Sequence, residues 1–232
     1  MKFPNLSIKG SGSLFVPVFC SLFFLFLISL NPLLAEAKSF YGYSKSILSG
    51  TAVVFVDDLE IARVPVNNGY CHVEVDLKES DNIIQVILFD EKGSALERKT
   101  FQVKALDNPF YKVELSIYSS LASSLLGPDG NPPKKLEAEN QDKFNYLAKY
   151  ISIVCETLRD MQLASALSSL EVIDRLIQGE SLVAILHNRL GSEIGGQVLL
   201  ELKKSSFPKD PQGNLDYKIL NDLINTFKVA YR

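Results

Sequence analysis

Tryptophan is absent from this sequence, histidine and methionine occur twice each, and cysteine three times. Each scarcity excludes something. The two histidines, His72 and His187, fall in different halves of the chain with no cluster of Cys or carboxylate at ligand spacing, which argues against a zinc site. They read instead as a solvent-side strand residue and a helix-surface residue. Three cysteines do not make a disulfide framework. Cys71 and Cys155 lie in segments of different period, and spacing leaves open whether they pair. Cys155 stands among Ile153, Val154 and Leu158, where burial raises a thiol's pKa and makes it inert. The lack of Trp weakens a sugar-platform reading, although nine Tyr can take its place. Charge of one sign is also lacking: 24 basic residues face 27 acidic ones, and a net of −3 gives no footprint for nucleic acid.

The motifs of common enzymes are missing too. There is no Gly-x-Ser-x-Gly elbow and no His-Glu-x-x-His. Gly191-Ser192-Glu193-Ile194-Gly195-Gly196 fails the glycine spacings of phosphate loops and reads as helix punctuation. Asp57, Asp58 and Glu60 cluster as calcium ligands do, but no Asp-x-Asp-x-Asp-Gly run accompanies them, and a hairpin turn is the simpler reading. No catalytic residue, no cofactor-binding residue and no metal ligand is assigned, no cofactor is implied, and the chain reads as no enzyme.

The N-terminus carries an export pattern. Lys2 and Lys9 supply positive charge, no charged residue occurs from Gly10 to Ala35, and Leu14–Leu30 is dense in Phe and Leu. Ala35-Glu36-Ala37 has the small-x-small spacing that signal peptidase accepts, so residues 1–37 read as a signal peptide and the mature chain begins at Lys38. The apolar stretch is also long enough to anchor in a bilayer. Membrane contact is expected only through this segment, if it stays uncleaved. Cys20 follows Phe19 rather than a small residue and does not read as a lipid attachment site. Cleavage leaves about 195 residues, enough for one large domain or two small ones.

Those residues change period part-way. Up to about Tyr118 the pattern is that of strands. Ala52–Val56 is apolar and β-branched and ends at Asp57-Asp58, and Ile61–Val66 follows. Asn67-Asn68-Gly69 supplies the next turn. In Tyr70–Leu77, Cys71, Val73, Val75 and Leu77 alternate with His72, Glu74 and Asp76, the pattern of a sheet with one wet face. Ile83–Phe89, Ala95–Val103 and Phe110–Ile117 complete the set, with Asp90–Gly93 as a turn. From Leu136 the period is helical: Phe144, Leu147, Ala148, Ile151, Val154, Cys155 and Leu158 share one face. A stripe from Leu163 to Ile177 follows a kink near Gln162, and Leu182–Leu190 ends at Gly191. Val198–Lys204 is ambiguous between helix and strand. Phe207–Gly213 is a loop, and Asn214 caps a last helix bearing Leu220, Leu223, Ile224 and Phe227. The expected architecture is two domains: an all-β Ig-like sandwich over 38–118 and an all-α domain over 141–232. Residues 119–140, with Pro132-Pro133, form an exposed linker between them.

The strand half resembles the bacterial Ig-like β-sandwich modules of the glucodextranase B type. The resemblance runs over about 39–105, through Ser49-Gly50, Val53–Val56, Asn67-Asn68-Gly69-Tyr70, Val73-x-Val75-x-Leu77, Asp81-Asn82-x-Ile84-x-Val86 and Asp90-x-x-Gly93. It departs from that pattern at Asp81 and at Asp57-Asp58, where the family carries Gly and Asn-Gly. The PEGA type of small surface β-domain shares the Val-x-Val-Asp opening. Both resemblances imply an accessory module and neither implies a catalyst. Residues 136–232 resemble no family.

The resulting expectation is an exported, non-catalytic protein of the bacterial envelope, periplasmic or at the cell surface. Its sandwich would serve as spacer or adhesion module and its helical domain would bind a partner, an envelope protein or a polysaccharide. The alternative is a carbohydrate-binding protein or glycoside-processing enzyme with a cleft between the halves, in which carboxylates such as Asp57, Asp58 and Glu60 act as acid and base.

Overall fold

The computed structural model describes residues 36–77, 82–104, 109–125 and 138–230. The export segment up to Ala35 and the Pro132-Pro133 stretch lie outside the described residues. From Glu36 on, the chain forms one compact unit. Among the described residues seven strands come first: β1 (Glu36–Ser44), β2 (Ser49–Val56), β3 (Leu59–Asn67), β4 (Tyr70–Leu77), β5 (Asn82–Phe89), β6 (Ala95–Val103) and β7 (Phe110–Leu115). Five helices follow: α1 (Ile117–Leu125), α2 (Ala138–Asp160), α3 (Ser169–Gln178), α4 (Leu182–Lys204) and α5 (Lys218–Ala230).

The strands make one mixed sheet in the order β6-β5-β2-β3-β4-β1-β7. It curls until β6 and β7 approach each other, so that it is nearly a barrel. This corrects the expected fold class of an all-β Ig-like sandwich followed by a separate all-α domain. The first described strand is the reason. β1 lies between β4 and β7, antiparallel to one and parallel to the other, and the parallel ladder runs from Ser39↔Phe110 to Ser44↔Leu115. Period-two patterning reveals strands, not partners, and hairpin turns suggest only antiparallel neighbours.

Alternation places Phe40, Val54, Val73, Val75, Ile84, Val86, Leu88, Val113 and Leu115 inside the curled sheet. Phe40 stacks there on Tyr111, with ring centroids 5.2 Å apart. Each such large side chain withdrawn from water contributes about 1.5–3 kcal/mol. A second core lies among the helices, with Phe144, Leu147, Ile151, Val154, Leu158, Leu167, Ile173, Leu186 and Phe227 fully buried. Ile117, Leu121 and Ala122 of α1 belong to it, and Ile87 and Ala95 pack against it from the outer face of β5 and the start of β6. The helices therefore rest on the sheet.

Residues 117–125, whose larger part the sequence places in a linker, are the helix that seals β6. Its serines recur at helical spacing and replace a missing strand. Ser120 Oγ accepts from Arg98 N–H at 2.8 Å and donates to Ser116 O at 2.8 Å. Ser123 Oγ accepts from Thr100 N–H at 2.8 Å and donates to Ser119 O at 2.8 Å. Ser119 Oγ donates to Arg98 O at 2.8 Å. The Arg98 guanidinium reaches Ser124 and Asp174, tying β6 to α1 and α3.

Local capping residues that the sequence reading did not single out fix the helix ends. Ser168 and Ser181 cap α3 and α4, each accepting from the N–H three residues on, and Gly179 closes α3 in the left-handed region. Some local expectations change. Leu163–Leu167 is not part of a helix; the chain turns after Asp160 with Gln162 at φ 60. Gly191 (φ 81, ψ 163) is non-helical and ends the first helical segment of α4, as expected, while a second segment carries on to Lys204 and makes Val198–Lys204 helical. α5 starts at Lys218, and Asn214 instead donates its N–H to Asp210 at 2.8 Å within the preceding turn.

Candidate functional site

The site grows from a fork in the sheet. The turn Asn67-Asn68-Gly69 brings β3 back as β4, and the two strands share only the Asn67↔Tyr70 pair. The turn is held from below: Gly69 N–H donates to Leu48 O at 3.0 Å and Ser44 N–H to Gly69 O at 2.8 Å. Gly69 has φ +82, and a Cβ there would lie 2.4 Å from the Ser44 carbonyl oxygen. Only glycine allows this approach. Past the turn β3 leans toward β2 and β4 toward β1. Among the described residues, no backbone hydrogen bond reaches the edge of β4 opposite β1 beyond Tyr70.

A groove of about 770 Å³ opens at this fork. Val64, Pro65 and Asn67 of β3 form one side, and Tyr70, Cys71 and His72 of β4 the other. The groove extends over Tyr41, Gly42 and Tyr43 of β1 to Lys112 of β7. Register explains why the aromatic residues gather. Tyr41 pairs with His72 and Lys112, and Tyr43 with Tyr70 and Glu114, so both rows stand on the outer face of three adjacent strands. Tyr41 stacks on His72 at 4.3 Å between ring centroids and Tyr43 on Tyr70 at 6.3 Å. Tyr70 is 68% exposed and Tyr41 45%. The Tyr43 hydroxyl donates to Glu114; burial, and then this carboxylate, hold its pKa above the ordinary phenol value. Further along β4, Glu74 and Asp76 are exposed on the same face.

Gly42 is the small residue that lets this layer close. A Cβ there would meet Cys71 Sγ at 2.6 Å. Burial pushes the Cys71 thiol up, against a lowering contribution from the Gly42 backbone. Cys155 is fully buried in the helical core, and its pKa is pushed up to about 11 by that burial, with Ser169 as hydrogen-bond partner opposing the shift. Both cysteines are free thiols.

The residues singled out in the sequence lie elsewhere or join the groove singly. His72 enters the groove as the predicted outer-face strand residue, and His187 is exposed on α4. Asp57 and Asp58 have φ 48 and 67, the left-handed pair of a two-residue hairpin turn. Asp57 accepts from Ile83 N–H at 2.9 Å, and Glu60 takes Arg63 in a two-point contact, both at 3.1 Å. None of the three lines the groove. Where the sheet meets the helices there is a recess of about 280 Å³ bounded by Ser49, Asp90, Lys92, Arg159 and Gln162. Its Asp90 accepts from Lys92 and Ser94 N–H at 2.9 and 2.7 Å and so shapes a turn. Among the described residues no group of three His, Cys, Asp or Glu converges as a metal site would require. Sequence reading missed Tyr41, Tyr43 and Lys112 as site residues. The alternation of Tyr41, Tyr43 with Phe40 and Gly42 was their available signal.

No family model matches the chain, and no curated protein matches it. Among solved structures, a fibronectin(III)-like module of CbhA from Clostridium thermocellum matches 33% of this chain and 90% of that one, with 15% identity and a TM-score of 0.22. None of these comparisons supports the finer glucodextranase B resemblance over residues 39–105. At this TM-score the match carries no argument about fold or function.

Proposed function

We propose that this chain is a non-catalytic binding protein that holds an elongated partner in the groove between β3 and β4, with the helical layer serving as a rigid base. The observation that carries the reading is the fork itself: an open, aromatic-walled groove with few polar side chains besides the tyrosine hydroxyls, namely Asn67, His72 and Lys112. Ligand grooves are of this size and are lined mainly by apolar and aromatic groups with few polar ones. The carboxylates considered for acid–base work are engaged in turns or ion pairs, which favours binding over hydrolysis. Export to the cell envelope is part of the proposal, resting on the charge-poor Phe- and Leu-rich N-terminus. Cleavage after Ala37 would cut within β1, trimming Glu36↔Leu77 and Ala37↔Asp76 and leaving the ladder from Lys38↔Val75 onward.

The test places a photo-crosslinking residue at Tyr70 or, separately, at Tyr146, which is 53% exposed on α2. The proposal expects adducts in the native host from position 70 and none from position 146. Adducts from position 146 alone would transfer the binding role to the helical face. Intact mass from the same preparation tests export: a chain starting at Lys38 supports it, and a full-length membrane-embedded product rejects cleavage.

A further inference from the structure

The groove offers more than an aromatic wall. β4 is a strand of eight residues whose edge opposite β1 carries no backbone partner beyond Tyr70 among the described residues. Edge strands are usually blunted by proline, lysine, a bulge or a covering element. β3, across the groove, contains Pro65, and β6 is covered by the serines of α1. Among the described residues β4, Tyr-Cys-His-Val-Glu-Val-Asp-Leu, has no proline, lysine, bulge or covering element, and its only charges are the acids Glu74 and Asp76. Its inner residues Val73, Val75 and Leu77 are buried in the sheet core, so the strand is held straight and in register. An extended strand docking against such an edge gains a row of main-chain hydrogen bonds.

We infer that the groove takes an extended peptide segment, which adds to the sheet as a strand on the free edge of β4. The inference rests on the proposed binding reading and narrows its partner to polypeptide. The outer face of β4 states what side chains such a strand carries. Tyr70 and His72 are followed by Glu74 and Asp76, which make no ion pair among the described residues. Directly opposed residues on neighbouring strands interact, aromatic with aliphatic or aromatic and acidic with basic. The fitting segment therefore presents aliphatic or aromatic groups to Tyr70 and His72, and lysine or arginine to Glu74 and Asp76. A neutral sugar chain satisfies the tyrosines but not the backbone edge or the acidic end.

The probes are two capped octapeptides, Lys-Thr-Lys-Thr-Val-Thr-Tyr-Thr and its reversed sequence, which between them cover both directions of pairing. Titration against the full-length protein, read by calorimetry, is expected to show binding of at least one. Methylating alternate backbone nitrogens on its pairing edge should abolish it. Glu74→Lys with Asp76→Lys should weaken it by about tenfold or more. Both sites are exposed, and circular dichroism checks that the variant folds. Hydrogen exchange of the complex should slow at alternate amides of β4 from Cys71 to Leu77. Failure of both peptides to bind, equal binding of the methylated forms, or unchanged β4 exchange overturns the inference. A soluble linear β-glucan is the comparison ligand. If it binds in a Tyr70-dependent manner where the peptides do not, the groove remains a binding site and the peptide assignment falls. If position 70 yields no adducts in the crosslinking experiment, the binding reading itself falls.

Discussion

Two edges of the same sheet are finished in opposite ways. At β6 the free N–H groups of Arg98 and Thr100 are met by Ser120 and Ser123, and the Arg98 carbonyl by Ser119. At β4 the free edge past Tyr70 meets no backbone partner among the described residues and faces a groove. The difference teaches how a sheet can be sealed on one side and receptive on the other. An unpaired backbone group withdrawn from water costs about 1–3 kcal/mol, so the edge pressed beneath the helices has to be capped. The other edge borders open solvent, where water satisfies it, and it can stay available.

The largest effect is expected from breaking the seal. Ser120→Ala combined with Ser123→Ala leaves two strand N–H groups buried under α1 without acceptors, and should cost about 2–5 kcal/mol in urea unfolding. A loss below about 1 kcal/mol would mean that water or a shifted helix replaces the hydroxyls. Gly69→Ala strikes the open side at its root, where the new Cβ would meet the Ser44 carbonyl at 2.4 Å with φ at +82. It should cost about 2–3 kcal/mol, and an unchanged unfolding midpoint would show that the fork is not pinned there. Asp174→Ala removes the ionic tie from α3 to Arg98. The acid is 40% exposed, so the expected loss is only about 0.5–1 kcal/mol. Tyr70→Ala, on the open side, should change stability by less than about 0.5 kcal/mol while removing groove binding. A large loss of stability would make Tyr70 part of the fold rather than of the site. Finally, thiol reagents should leave Cys155 unmodified in the native protein up to about pH 9, because burial holds its pKa near 11. Rapid native labelling at that position would mean that the helical core opens.

The two edges were not equally legible in the sequence. Tyr70–Leu77 and Ala95–Val103 are evident from alternation and turn residues, and both strands form over those spans. The helical stripe from Phe144 to Leu158 is equally plain, because its apolar residues bury one face of α2. β1 was not singled out as a strand, and the short alternation of Phe40 and Gly42 with Tyr41 and Tyr43 was its one signal. Its Lys38, Ser39 and Gly42 interrupt any apolar run, yet Lys38 is 2% exposed and Phe40 1%. α1 was hidden for a related reason: serine is a weak helix former and reads as loop, although Ser116, Ser119, Ser120, Ser123 and Ser124 follow helical spacing. The groove was legible residue by residue but not as a place. Tyr41 and Tyr70 come together only through the β1–β4 register, which is a long-range fact.

The parallel ladder between β1 and β7 sets an order of events during synthesis. β1 leaves the ribosome first among the described strands, but one of its two neighbours is not made until Leu115. The capping helix comes later still. Joining strands so distant along the chain has to overcome loop entropy before any contact rewards it, which makes this closure slow relative to the local hairpins β2–β3 and β5–β6. Until then β1 and β6 both present unfinished edges, the condition in which nascent chains bind one another or a chaperone. If the chain is exported, keeping β1 next to the targeting segment holds the sheet open until the last strand arrives, and an unclosed sheet is a chain that can still be threaded.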